Sequence, residues 1–235
     1  LAQAAGALEA LWPGKIVSAV LDVSDENAFS DLVLRMVQTA GGIDILVNNA
    51  GIGCAGYLPK IEEAAIRKTI DVNVLGVIHG CRAAIPYMIR QGGGHIINLG
   101  SVASFTPLPW RTIYTTTKFA VLGFTQCLRQ ELDWMQTGIQ LHTVCPSTVD
   151  TGIWNGAVPK NAVAPEEVAG EILAGVEQGM QIIPVTDHGR ELYDHYTNDP
   201  AAFQADLDGL VDLYKPLITT PEIARNLMIR LCRDQ

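Results

Sequence analysis

The residues best suited to chemistry lie between Asn98 and Lys118, in the stretch NLGSVASFTPLPWRTIYTTTK. Tyr114 and Lys118 stand four residues apart at the head of a segment with helical apolar spacing: Phe119, Val121, Leu122, Phe124 and Leu128. Four residues on a helix puts two side chains on one face, one turn apart. An ammonium beside a phenol favours the phenolate, so Lys118 is expected to draw the tyrosine pKa down from its reference near ~10. A tyrosine tuned that way passes a proton to or from a hydroxyl or carbonyl near neutral pH. Ser101, thirteen residues before the tyrosine, follows the apolar run His95 to Leu99 and is expected at the end of a buried strand.

A tyrosine and lysine at this spacing also form ordinary exposed helix pairs, so the surrounding pattern decides. Asn48-Asn49-Ala50-Gly51 follows a second apolar run, Ile43 to Val47. The NNAG turn, the serine and the Y-x-x-x-K pair, in that order and at those distances, resemble the short-chain dehydrogenase/reductase family over residues 10 to about 190. The resemblance implies a Rossmann-like, doubly wound parallel sheet with helices on both faces. It also implies hydride transfer between NAD or NADP and a secondary alcohol or ketone.

In that reading Tyr114 is the general acid/base, and Lys118 tunes it and holds the nicotinamide ribose. Ser101 orients the substrate oxygen. Asn73, in the phrase Asp71-Val72-Asn73-Val74-Leu75-Gly76, matches an asparagine at a helix kink that serves a proton relay to the lysine. Asn48, Asn49, Ala50 and Gly51 match the turn beside the adenine ribose, and Asp22 and Val23 match the acidic-apolar pair at the adenine ring. Asp22 could equally be a helix cap. Pro146 and Thr151 match the segment holding the nicotinamide carboxamide, although Ser147 stands where the family has glycine. A serine there is strained if the backbone needs a positive φ.

The loops Ala103 to Trp110 and Ile153-Trp154, with Val158, are apolar. Trp110 and Trp154 therefore point to an apolar or aromatic substrate, or else to core or subunit contacts. His95, His142 and His188 lack ligand spacing and are expected to be structural; no metal is signalled. The family's habit of pairing through two long helices, here residues 61–90 and 113–135, implies a homodimer or homotetramer.

Composition narrows the classes. With 235 residues, 48% hydrophobic and 17% charged, the chain can build a full core. A net charge of −9 argues against a general nucleic-acid surface, which needs clustered Lys and Arg. No run of eighteen apolar residues signals a membrane span. Five scattered cysteines without a C-x-x-C pair argue against a disulfide framework and fit a reducing cytoplasm.

The elements must position these groups. Residues 1–11 are helix-prone and stop at Trp12-Pro13-Gly14, and Ile16 to Val23 reads as a strand. Ser24 or Asp25 caps a helix from Glu26 to about Ala40, followed by the strand Ile43 to Val47. A long helix spans 61–90, a strand 94–101, a helix 113–135 and a strand 139–144. A helix then follows Pro165, and Ile182 to Val185 is a last strand whose Pro184 belongs at an edge. Helices from Pro200 to about Tyr214 and from Thr220 to about Arg233 close the chain. Strand and helix alternate at the pace of one Rossmann-like domain, 1–187, with a helical extension over 188–235.

One family feature is missing. No G-x-x-x-G-x-G turn precedes Ile16, so the first strand, its glycine-rich turn and the second strand are expected to lie outside this sequence, about 30–40 residues of one βαβ unit. Without them the 16–23 strand has no neighbour and the 43–47 strand is a bare apolar edge. A non-catalytic chain keeping the fold as a binding module is the competing reading. An enoyl reductase or sugar epimerase of related fold fits less well, given the short Tyr114–Lys118 spacing and the modest length.

Overall fold

The computed structural model describes residues 2–154 and 158–214, the side chains of 208–214 aside. Helix α1 (Ala2–Leu11) ends where expected, at Trp12-Pro13-Gly14. Helix α2 (Glu26–Ala40) starts at Asp25, whose carboxylate accepts the Ala28 N–H at 3.0 Å, and stops at Gly41 with φ 85°. Then come β1 (Ile45–Asn48), α3 (Glu63–Ile70), α4 (Gly76–Gln91) and β2 (Gly94–Leu99). Helix α5 (Thr112–Trp134), β3 (Ile139–Pro146), α6 (Pro165–Glu177) and β4 (Ile182–Val185) complete the layered part. Helices α7 (Asp187–Asn198) and α8 (Pro200–Tyr214) follow, while the helix expected from Thr220 lies outside the described residues.

The sheet is all parallel, in the order β1-β2-β3-β4, with Val47 opposite Ile97, Ile97 opposite His142 and Val144 opposite Ile183. Successive strand residues face opposite sides, and Ile96 and Ile97 show what covers each. Ile96 packs with Cys81, Ala84 and Met88 of α4 and Val121 and Leu132 of α5. Ile97 packs with Val168 and Val176 of α6 and Ile183 and Val185 of β4. Helices therefore cover both faces of a doubly wound sheet. Pro184 sits on β4, the terminal strand, where its missing N–H interrupts no inner ladder.

Two expectations are corrected. Residues 16–23 form no strand, with Val17 59% and Val20 91% exposed. A strand is a pairing, and this segment has no ladder partner among the described residues, so β-propensity alone cannot make it one. β1 correspondingly has one neighbour among the described residues, and Ile45 and Val47 are about half exposed. The helix expected over 61–90 is interrupted: α3 and α4 are joined by a π-turn at Asp71–Leu75, with Asn73 buried in it. The run Glu63–Gln91 is long and apolar enough to cross a bilayer, yet its Val77, Cys81, Ala84 and Met88 are spent on the sheet.

Candidate active site

The C-terminal ends of β1, β2 and β3 open into a cavity of about 1020 Å³. Its floor is Asn49-Ala50-Gly51 after β1, Gly100-Ser101 after β2, and Pro146 at the end of β3 with Ser147 to Val149 after it. Open parallel sheets bind ligands in this crevice. Tyr114 and Lys118 reach it from the first turns of α5, and Thr151, Ile153 and Trp154 close one side. The wall opposite comes from α7 and α8, through His188, Leu192, His195, Phe203 and Asp206.

A buried polar ladder under the floor fixes the strand ends. Asn48 Nδ2 donates to Asn98 Oδ1 at 2.8 Å, and Asn98 Nδ2 donates to Thr125 Oγ1 on α5 at 2.9 Å. Asn48 reaches this position because α4 carries Gly80, where any Cβ would strike the Asn48 amide. Gly100 allows β2 to turn tightly against β3: a Cβ there would stand 2.8 Å from Ser104 Oγ and 3.0 Å from Val144 O. Ser101 then begins a short 3₁₀ turn, accepting the Ala103 N–H at 3.1 Å and donating to Pro146 O at 3.4 Å.

Asn73 clamps the floor from the π-turn. Its Oδ1 accepts the Ile52 N–H at 2.8 Å, and its Nδ2 donates to Ile52 O at 3.0 Å and to Thr117 Oγ1 at 3.1 Å. Both side-chain groups are thus spent on the NNAG turn and α5. A π-turn releases main-chain groups from the regular helix ladder, which leaves the backbone there available to a ligand or water. A Cβ on Gly51 would lie 3.5 Å from Asn73 Oδ1 and 3.8 Å from Lys118 Nζ, so glycine keeps the floor open beside the ammonium.

Lys118 is 6% exposed and donates to Leu99 O at 2.7 Å. Burial pushes its pKa down to about 8. Its Nζ stands 5.6 Å from the Tyr114 ring centre. The expected depression of the tyrosine is not what this arrangement does. Burial raises the Tyr114 pKa, and the hydrogen bond with the Ser101 side chain and the Arg111 charge pull it back only in part. Losing hydration disfavours a phenolate more than these neighbours favour it.

The structure gathers Ser101, Tyr114, Lys118, Asn49, Ala50, Gly51, Pro146, Thr151 and Trp154 around one cavity. Of the residues that the sequence nominated, the lining omits Asn48 and Asn73, which brace the floor from behind, and also Asp22, Val23 and Trp110. Asp22 is exposed and accepts from the Ser24 N–H and hydroxyl at 3.0 and 2.7 Å, so it is a turn residue away from the cavity lining. Val23 packs on α4, where a Cβ at Gly76 would approach its Cγ2 to 2.8 Å, and its carbonyl meets His79 Nδ1 at 3.1 Å. Trp110 is absent from the lining; its backbone is left-handed (φ 59°) and its carbonyl accepts the Gly56 N–H at 2.8 Å. Ser147 keeps a negative φ, so replacing glycine there costs no strain.

Three ionisable lining residues went unread in the sequence, Arg111, His195 and Asp206, and His188 was read as structural. Arg111 could have been found by its place three residues before Tyr114, on the same helix face. The pairing of His195 Nε2 with Asp206 Oδ2, at 3.0 Å between α7 and α8, has no local signal.

Comparison with known proteins decides the relationship. Residues 1–162 match the short chain dehydrogenase family. The chain belongs to the short-chain dehydrogenases. Among its relatives, 2-(R)-hydroxypropyl-CoM dehydrogenase of Xanthobacter autotrophicus is 39% identical over 143 residues, covering 60% of this chain and 56% of the relative. This dehydrogenase-family chain spans 33% to 61% of the length of the first curated relatives it matches. A Burkholderia phymatum short chain dehydrogenase/reductase solved with NAD superposes with a TM-score of 0.73 at 26% identity, covering 78% of this chain and 75% of that one. A Burkholderia cenocepacia short chain dehydrogenase solved with NADP gives 0.74 at 26% identity, covering 83% and 79%. The candidate site residues of this chain thus sit on a fold shared with nucleotide-bound proteins.

Proposed function

We propose that this chain is the catalytic part of an NAD(P)-dependent oxidoreductase that interconverts a secondary alcohol and a ketone. The observation carrying the reading is the convergence of Ser101, Tyr114 and Lys118 on one crevice at the ends of three parallel strands. The residues fit the reacting end of a dinucleotide: Gly51 leaves an uncovered floor beside the Lys118 ammonium, and Pro146 and Thr151 line the same crevice. Asn49, Ala50, Gly51, Lys118, Pro146 and Thr151 would hold NAD or NADP, which supplies the hydride chemistry when bound.

The chain's own task is one proton and one orientation. Tyr114, held protonated by its burial, is set up as the acid that donates to a substrate carbonyl oxygen. Ser101, fixed by Ala103 N–H and Pro146 O, donates or accepts at the same oxygen and orients the carbonyl. Lys118 carries a positive charge to the phenol when protonated and stabilises the tyrosinate left after donation. Asn73 holds the floor against α5, so that the three groups keep their spacing.

Replacing Tyr114 with Phe tests the reading. Turnover of a ketone with reduced nucleotide should fall by ~10²–10⁴, while nucleotide affinity stays within a few-fold. Retained turnover would overturn it, and the fold would then serve as a binding module. Pairing of two copies through α4 and α5 belongs to the same proposal, supported by the exposed Phe119, Ile89 and Leu75; light scattering of the protein in solution checks it.

A further inference from the structure

The cavity carries two cationic side chains, Arg111 and Lys118, against one carboxylate, Asp206, which is already paired with His195. This balance is opposite in sign to the whole chain, whose net charge is −9. Lys118 is spent on Leu99 O and Tyr114. Arg111 is different. It occupies the N-cap of α5, three residues before Tyr114, close enough for its charge to act on the phenol. Its guanidinium stands over the Trp154 ring at 5.4 Å and forms no hydrogen bond or ion pair among the described residues.

Such an arrangement has a physical reading. An arginine stays charged at any working pH and presents five N–H donors in a rigid fork suited to a carboxylate, sulfonate or phosphate. Stacking on a ring fixes the group in place without using a donor. A half-buried guanidinium whose donors are unspent among the described residues, beside the proposed general acid, is a receptor for an oxyanion. The apolar wall of Leu108, Ile153 and Trp154 accounts for the rest of the substrate.

We infer that Arg111, steadied by Trp154, binds an anionic group of the substrate, so that this site takes oxo or hydroxy acids in preference to neutral ketones. The inference refines the expectation of an apolar substrate and rests on the activity proposed above. Arg111 acts here as a specificity residue and takes no part in the proton transfer.

Two measurements separate the ideas. Benzoate and its neutral isostere benzamide are titrated calorimetrically into the wild-type protein and into Arg111→Gln, with no turnover required. Benzoate should bind wild type at least about tenfold more tightly than benzamide, and Arg111→Gln should abolish that preference, since a charge-assisted bidentate pair is lost. Equal binding of the two probes to wild type, or a preference surviving Arg111→Gln, overturns the inference. In the second measurement, a 3-oxo acid and its methyl ester are compared as substrates. Arg111→Gln should raise KM for the acid by roughly ten- to a hundred-fold and leave the ester within about threefold. NAD(P) affinity should not change; a parallel loss there would assign Arg111 to a nucleotide phosphate and overturn the substrate assignment. Absence of any ketone turnover alongside an intact benzoate preference would sink the proposed activity and leave the anion site standing.

Discussion

Lys118 is costly to the folded chain, and the cost can be measured. Its pKa falls from 10.5 to about 8 because burial disfavours the ammonium. In linkage terms the folded state binds fewer protons than the unfolded one between these values, so stability from this group is full above pH 10.5 and is lost as pH falls through about 8. The penalty is roughly 3 kcal/mol at pH 7 and roughly 2 kcal/mol at pH 9. Lys118→Met removes it but deprives Leu99 O of its 2.7 Å donor. That carbonyl edges the cavity and can be hydrated, so its loss costs about 1 kcal/mol. The variant, without nucleotide, should therefore be more stable than wild type by about 2 kcal/mol at pH 7 and about 1 kcal/mol at pH 9. For a chain of this size those are shifts of roughly 4–8 and 2–4 °C in Tm. Urea melts at both pH values supply the numbers. Cys81, raised to about 12 by burial, loses stability above pH 9 in both proteins and cancels in the difference, while Cys145, which feels the Lys118 charge, is also raised to about 12 and adds little at either pH. A variant no more stable than wild type at pH 7, or a gap that does not narrow towards pH 9, would refute the account. Its loss of turnover would show that the destabilising charge is kept for chemistry.

The buried ladder and the histidine pair give further tests. Asn48→Ala should cost about 1–3 kcal/mol by urea denaturation, because Asn98 Oδ1 is left without its 2.8 Å donor. Gly80→Ala should cost a similar amount by driving a methyl into Asn48 and to 3.0 Å from Phe29 Cζ, and the double variant should lose less than the sum of the two. His142 is buried, its pKa lowered first by desolvation, with Nδ1 against Met180 O at 2.7 Å and Nε2 against His95 Nδ1 at 3.1 Å. Its contribution is full above pH 6.5 and lost as pH falls through the lowered value, so the urea midpoint should drop on acidification below 6.5. His142→Gln should flatten that limb, and an unchanged slope would contradict the reading.

What was legible in the sequence was what local spacing controls. Tyr114 and Lys118 share a face because they are one helical turn apart, whatever surrounds them. Ser101 and the NNAG turn sit at strand ends because apolar runs stop there, and Asp25 and Gly41 bound α2 by their own conformational preferences. The parallel sheet with both faces covered follows from the alternation of elements, and Pro184 could be assigned to an edge strand from its missing N–H alone.

Only the tertiary structure decided the rest, since it depends on groups distant in the chain. Residues 16–23 have the composition of a strand, but a strand exists only where another backbone pairs with it. The sign of the Tyr114 shift could not be read from the lysine four residues away, because burial of the phenol outweighs the Ser101 hydrogen bond and the Arg111 charge that lower it. Asn73 was recognisable as a phrase, yet its clamp on Ile52 and Thr117 joins segments 21 and 44 residues away. Arg111 could be placed beside Tyr114 from spacing, but its contact with Trp154 and its lack of a carboxylate among the described residues arise when distant loops meet. Short-range geometry chose the candidate groups; long-range packing set their charges, their solvent and the room around them.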